Sequence, residues 1–277
     1  MAFQNVSTPR IYLNIPEWLA STGTTVIDPV FRTLPVSASA IATIPDISAV
    51  TLENPYIAIL GHVATSFTFN EGFSYTDIIN GSNTVSNGFS IMDVTASMPS
   101  SITPSSGNAG SILLGTYYEF PHSPDLNLTL SYEYGGIKET TTKGGNTLTN
   151  SFYNKPPSWG SLGAWELGGE PKYAKSGRRV WDLSFSYLSD SSVFPDNAGL
   201  ANETDDGNST LLEADTFQRV IHLTNGGQIP FIFQSNNTAE GLKPDQLAIA
   251  KFDMNSFKFE QVANSVYNVK LKIREVW

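Results

Sequence analysis

Apolar and polar side chains alternate with a period of two through much of this chain. Leu126, Leu128, Leu130, Tyr132 and Tyr134 alternate with Asn127, Thr129, Ser131 and Glu133, the pattern of a strand with one wet face. Gly135 and Gly136 then predict a turn, with residues 137–142 as the return strand. Leu183, Phe185 and Tyr187 alternate with Asp182, Ser184 and Ser186. The chain closes on Tyr267, Val269, Leu271 and Ile273, alternating with Asn268, Lys270, Lys272 and Arg274. Short apolar runs at 56–60, 111–118, 229–234, 247–252 and 257–262, with Phe67 and Phe69 around Thr68, predict further strands, some of them fully buried.

Two segments carry helical signals instead. Asn14 stands where a cap belongs, Pro16 falls in the first turn, and Gly23 can stop the helix. Thr210 and Glu213 match a capping box. Phe217, Val220, Ile221 and Thr224 continue at helical spacing until Gly226 and Gly227.

These elements divide the chain. Residues 1–53 read as an N-terminal arm, whose part after Thr24 is broken by Pro29, Pro35 and Pro45 into extended segments suited to lying on another surface. Residues 54–154 read as a jelly-roll-like β domain of short strands between long Ser/Thr/Asn/Gly loops. Residues 155–177 form a bridge rich in Pro, Gly and Trp. Residues 178–277 read as strand, helix, then four strands, a β-sandwich with one helix. The predicted fold class is mainly β: a jelly-roll or β-sandwich domain, a second β-sandwich domain with one helix, and an extended arm.

Composition narrows what such a chain can do. Charged residues are 15% of its 277 positions, against roughly 25% in an average soluble protein. A surface rich in Ser, Thr and Asn fits a protein largely covered by neighbours. The net charge of −10 disfavours direct nucleic-acid binding, which relies on cations that displace counterions from phosphate. There is no cysteine, which excludes disulfides, thiolate metal sites and cysteine nucleophiles. No apolar run reaches the roughly 18 residues of a membrane span, and the first residues lack the charged-then-apolar pattern of a signal peptide. The expectation is synthesis in a cytoplasm, with no membrane partner.

Little in the sequence points to catalysis. His62, His122 and His222 are far apart and in no metal-binding spacing, and no nucleophile elbow, phosphate loop or dinucleotide fingerprint occurs. The reading is therefore not an enzyme, with no cofactor and no metal. Asp190, Asp196, Glu203, Asp205 and Asp206 cluster in a loop and could offer oxygen ligands to Ca²⁺, but they do not match an EF-hand, and a solvated loop is favoured. Trp159, Trp165 and Tyr173 in the bridge suit a seam between domains or subunits; stacking on sugar rings of a host glycan is the alternative. Lys270, Lys272 and Arg274 point outward from the closing strand, which ends at Trp277 and is expected to be an open edge. On an acidic chain this basic row, with Trp277, is the candidate subunit interface.

Five phrases carry a family resemblance: FPHSPDLNLTLSYEYGG (120–136), KPPSWGSLGAWELGG (155–169), SGRRVWDLSFSYLSD (176–190), TNGGQIPFIFQ (224–234) and the closing stretch 245–277. In these the chain resembles structural proteins of tailed bacteriophages, particularly of marine phages. The C-terminal order is similar to the tail-tube fold shared by tube and distal-tail proteins, and Ala58–His62 to jelly-roll modules of virion proteins. The resemblance implies a virion component made in a bacterial cytoplasm. Its implied role is a distal-tail or baseplate ring protein, with a tail-tube subunit or a glycan-binding host-recognition module as alternatives. Its implied partners are copies of itself, in a hexameric ring, and other tail proteins. It supplies no catalytic residues.

Overall fold

The computed structural model describes residues 6–22, 31–37, 42–43, 47, 50–62, 67–69, 75–79, 88–94, 98–99, 101–104, 108–133, 136–152, 177–197, 199, 208–238 and 247–276. The chain is mainly β, with antiparallel sheets consistent with a β-sandwich.

Twelve strands join one large sheet, and its middle is β1 (Arg10–Tyr12). This strand lies between β9 (Asn108–Glu119) and β14 (Phe231–Gln234), so that Ile11 faces Tyr118 on one side and Phe233 on the other. Beyond β9 come β4 (Pro55–His62), β7 (Gly88–Val94) and β6 (Tyr75–Ile79), with β2 (Phe31–Ser37) also paired to β9. Beyond β14 come β15 (Leu247–Phe252), β17 (Val266–Glu275), β13 (Arg178–Ser189) and β10 (Thr129–Glu133), with β16 (Phe259–Ala263) also on β17. A three-stranded sheet holds β3 (Ala42–Thr43), β8 (Ser101–Pro104) and β5 (Phe67–Phe69). A separate ribbon pairs β11 (Gly136–Thr141) with β12 (Thr147–Phe152).

The N-terminal stretch is thus part of the body: β1, β2 and β3 all pair with strands of the same chain. Period-two alternation explains why β1 and β4 are so apolar. Ile11, Ile57 and Ile59 enter one core, while Tyr12, Tyr56, Ala58 and Leu60 enter a second. Strands covered on both faces cannot alternate apolar with polar, so they read as continuous apolar runs.

Helix α1 (Ile15–Ser21) follows β1 after the extended Asn14, with Pro16 in its first turn as predicted. Asn14 makes no side-chain cap hydrogen bond, although it is buried. The helix start lies against β9 at Gly115. A Cβ at Gly115 would stand 2.6 Å from Ile15 Cγ1 and press on the Leu13 carbonyl, so only glycine admits this approach.

In the C-terminal half the order strand, helix, four strands appears as β13, α3 (Phe217–Leu223) and β14 to β17, with a one-turn helix α2 (Asp190–Val193) after β13. The helix is shorter than predicted. The Thr210–Glu213 pair forms, Glu213 Oε2 accepting from Thr210 N at 3.0 Å and Oγ1 at 2.8 Å. It closes only a single turn, because Thr216 returns to an extended conformation and caps α3 anew by accepting from Arg219 N. Phe217, the first helical residue, sits among Tyr118, Phe120, Phe252, Phe257 and Phe259, with ring centroids 5.6–6.3 Å away. Phe120 stacks on Phe185 at 4.1 Å. Aromatic residues from β9 and from the C-terminal strands therefore share one core.

Two pairings differ from the sequence reading. The strand expected from Leu126 is confined to β10, and Leu126 itself is fully exposed. The strand after Gly135 does not return along β10. It pairs with β12, while β10 pairs with β13. The partner expected locally thus lies across the three-residue tip 143–145, where Gly145 takes φ +81° and Thr142 N donates to Asn146 O.

Candidate subunit interface

The basic row of β17 occupies the outer face of the C-terminal sheet, as the alternation required: Val269, Leu271 and Ile273 are buried and Lys270 is exposed. Its strand is not an edge. It has β13 on one side and both β15 and β16 on the other. The expectation of an open closing strand is corrected here, because β13 and β15 reach it from distant parts of the chain. Two of the three cations are paired within the chain, Lys272 with Asp253 at 3.2 Å and Arg274 with Glu133 at 2.6 Å. Such half-exposed pairs contribute about 0–1 kcal/mol each, yet they already occupy the charges that a neighbouring subunit was expected to meet. Trp277 lies outside the described residues, as do Trp159, Trp165 and Tyr173.

Arg179, not singled out in the sequence, does more to fix this region. Its guanidinium reaches both carboxylate oxygens of Glu275, at 3.0 and 3.2 Å, and donates to the Leu247 carbonyl at 2.6 Å. It also lies over the Trp181 ring at 5.1 Å. The fork shape of arginine permits this simultaneous contact with a carboxylate, a carbonyl and a ring. The Arg-Arg-x-Trp phrase was its only sequence signal.

The next feature follows from a defect in β13. Its pairing with β17 shifts register between Phe185 and Leu188. The bulge sets Tyr187 in the left-handed region, φ +63°, and turns its side chain outward to 77% exposure, while Leu188 is buried in its place. Asn268 Oδ1 accepts from Tyr187 N at 3.1 Å and holds the bulge. Beside it, Ser186 Oγ donates to Asp125 Oδ2 at 2.7 Å, and Asp125 N donates to Ser184 O at 2.8 Å. Leu126 and Tyr187 are thus each one residue from the same hydrogen bond. Simple alternation would have put Tyr187 inside, and the bulge puts it outside.

The third feature is the β11–β12 ribbon. Its described side chains from Lys138 to Thr149 are exposed except for the half-buried Thr142. Leu148, opposite Thr140, is 60% exposed. The ribbon carries Lys138, Glu139 and Lys143.

Titratable groups elsewhere serve packing. Arg219 is buried, donating to the carbonyls of Thr51 and Ala214 and so fastening α3 to the segment before β4. Burial pushes the neighbouring Asp215 carboxyl up to about 6, although Arg219 and a hydrogen bond from Asn54 Nδ2 pull it down. At the sheet centre Tyr12 donates to Gln234 Oε1 at 2.7 Å and Arg10 pairs with Glu119, its guanidinium over the Tyr117 ring. His222 packs edge-on against Trp18, and burial lowers its pKa. His122 Nδ1 donates to Ser123 O, and the His62 side chain lies outside the described residues. Of the predicted acidic cluster, Asp196 accepts from Ser209 Oγ, and Glu203, Asp205 and Asp206 lie outside the described residues. Among the described residues no group of three or more His, Asp or Glu side chains is placed to hold a metal ion.

No protein-family model, curated protein or solved structure matches the chain.

Proposed function

We propose that this chain is a structural, non-enzymatic subunit of a tailed-bacteriophage virion that assembles with copies of itself into a ring, as a distal-tail or baseplate protein does. On this reading residues 178–277 are the tail-tube-like unit, residues 54–154 the jelly-roll-like unit, and other tail proteins stack above and below the ring. The observation that carries it is the bulge at Tyr187. A β-bulge holds a tyrosine in a backbone conformation that bulky residues avoid and exposes its side chain to 77%. A monomer gains nothing from that arrangement, whereas apolar and aromatic side chains fixed at a surface are what protein interfaces use. The exposed ribbon and the strand, helix, four-strand order support the same reading.

Light scattering on the eluting protein, with negative-stain imaging, tests it. Rings of mass well above the 30.1 kDa of one chain are expected. A species that stays at the mass of one chain at the highest soluble concentration refutes self-assembly.

A further inference from the structure

We propose that His222 is an acid-operated latch: at neutral pH its ring holds helix α1 against α3, and uptake of a proton drives the ring off Trp18 into solvent and lets α1 open.

Helix α1 depends on contacts of this kind. It has seven residues, whereas an isolated helix is marginal in water below about 12–15. Asn14 gives it no side-chain cap, and the buried Asn14 amide has no hydrogen-bond partner among the described residues. Two contacts join α1 to α3. The His222 ring packs edge-on against Trp18 with centroids 5.5 Å apart, and Asn225 Nδ2 donates to Ser21 Oγ at 2.8 Å. Trp18 and Ser21 are three residues apart, as are His222 and Asn225, so each pair lies along one side of its own helix. Opening at these two points uncovers Trp18 and Leu19, both buried in the closed state.

The position of Nε2 makes the latch sensitive to acid. The ring is half-buried, yet its Nε2 is shut off from solvent and has no hydrogen-bond partner among the described residues. A neutral imidazole tolerates this, because the tautomer with its hydrogen on Nδ1 leaves Nε2 bare. Protonation puts a hydrogen on Nε2 as well, and a charged donor buried without an acceptor is costly. A half-buried ring has a way out. Rotation about its side-chain bonds carries Nε2 to water and takes the ring away from Trp18.

The charges around the latch do not offset this. Glu17 and Arg219 are the other charged side chains of the two helices. Arg219 is engaged with the carbonyls of Thr51 and Ala214 and feels Asp215 and Glu53. Burial alone lowers the pKa of His222. The contact is therefore fully formed above the ordinary imidazole value of about 6.5 and weakens as pH falls through it. Asp215 titrates in the same window with the opposite sign, but its carboxylate is bound by Asn54 before β4. A readout confined to α1 separates the two groups.

Amide hydrogen exchange of the full-length protein, followed by mass spectrometry from about pH 8 to about pH 5 and corrected for the intrinsic rates, tests the latch. Protection of residues 18–22 should fall by up to about tenfold per pH unit below about 6.5, the slope for one proton, and peptides from β4 should not follow it. His222→Phe keeps a ring against Trp18 but takes up no proton, so its α1 protection should stay constant across the range. His222→Gln replaces it if the phenyl ring disturbs the fold. In wild-type protein the His222 Cε1–H resonance should titrate below about 6.5. Protection of α1 that ignores pH, falls as steeply in the variant, or falls together with that of β4 overturns the latch. So does a ring that titrates above the ordinary value, which would mean that Trp18 holds the imidazolium by a cation–π contact.

Discussion

Replacing Tyr187 by glycine and by alanine should reverse the order of stability usual in a strand. In a regular strand glycine is worse than alanine by about 0.5–1 kcal/mol, because the unfolded chain gains more freedom. At Tyr187 the backbone is left-handed, φ +63°, which costs an L-residue roughly 1–2 kcal/mol and glycine almost nothing. The Ala variant keeps that strain and the Gly variant loses it. The difference is about 1–2 kcal/mol in favour of glycine, less about 0.5–1 for its entropy, so Tyr187→Gly should be the more stable by about 0.75 kcal/mol at the midpoint of these ranges and by about 1.5 at most. The tyrosine ring adds little to the comparison, since the side chain is 77% exposed. For a chain of this size 1 kcal/mol moves the melting temperature by roughly 2–4 °C. Thermal melts of the two variants, run in monomeric conditions alongside the same pair at Asp182, an exposed position in the regular part of β13, give the contrast. Glycine should win at 187 and alanine at 182. Equal stabilities, or alanine ahead at 187, would refute the claim that the bulge stores strain to present the tyrosine.

Phe217→Ala removes the ring at the meeting point of five aromatic side chains and should cost about 3–5 kcal/mol, read as a lower denaturant midpoint with an unchanged slope. Gly115→Ala should destabilise the chain strongly, because the new Cβ falls on Ile15 and the Leu13 carbonyl; a wild-type melting temperature would mean that α1 is free to move away. Asp215 has a folded-state pKa of about 6, above the usual carboxylate range, so the folded chain takes up its proton first. Asp215 should therefore contribute stability that grows as pH falls from 7 through 6 towards 4, against the opposite contribution of the buried His222, and stability in Asp215→Asn should fall relative to wild type over that window; an unchanged difference between the two proteins across it assigns the effect elsewhere.

Local pattern was a good guide wherever the ladder was regular. The inward set of β17, the buried run in β4 and the stop at Gly226 and Gly227 could all be read from spacing, because period two and helix termination are properties of a few adjacent residues. Tyr187 escaped because one inserted residue inverts the alternation, and nothing in the side chains of residues 182–188 marks where the register slips. The place of β1 escaped for a different reason. Three residues are too few for a pattern, and their partners lie more than a hundred positions away. Misreading β17 as an edge had the same source, since an edge is defined by which strands are absent beside it. The ribbon was half visible: residues 137–142 read as a strand, but the Thr- and Asn-rich return strand lacks the apolar alternation that would have marked it.

The position of β1 also sets a clock on the making of this protein. Tyr12 pairs with Ile232, so the large sheet cannot close until the ribosome has added the intervening residues. At about 5–20 residues per second that takes tens of seconds at the slower rates. Through that interval Ile11, Tyr12 and Leu13 can find β9 but not β14, and the C-terminal strands do not yet exist to bury Tyr118 and Phe120. The bulge in β13, which is set by its pairing with β17, has to wait until residues 266–275 have been made. A chain with this topology therefore sets its outward-facing Tyr187 only after β17 has been added, among the late events of folding rather than the early ones.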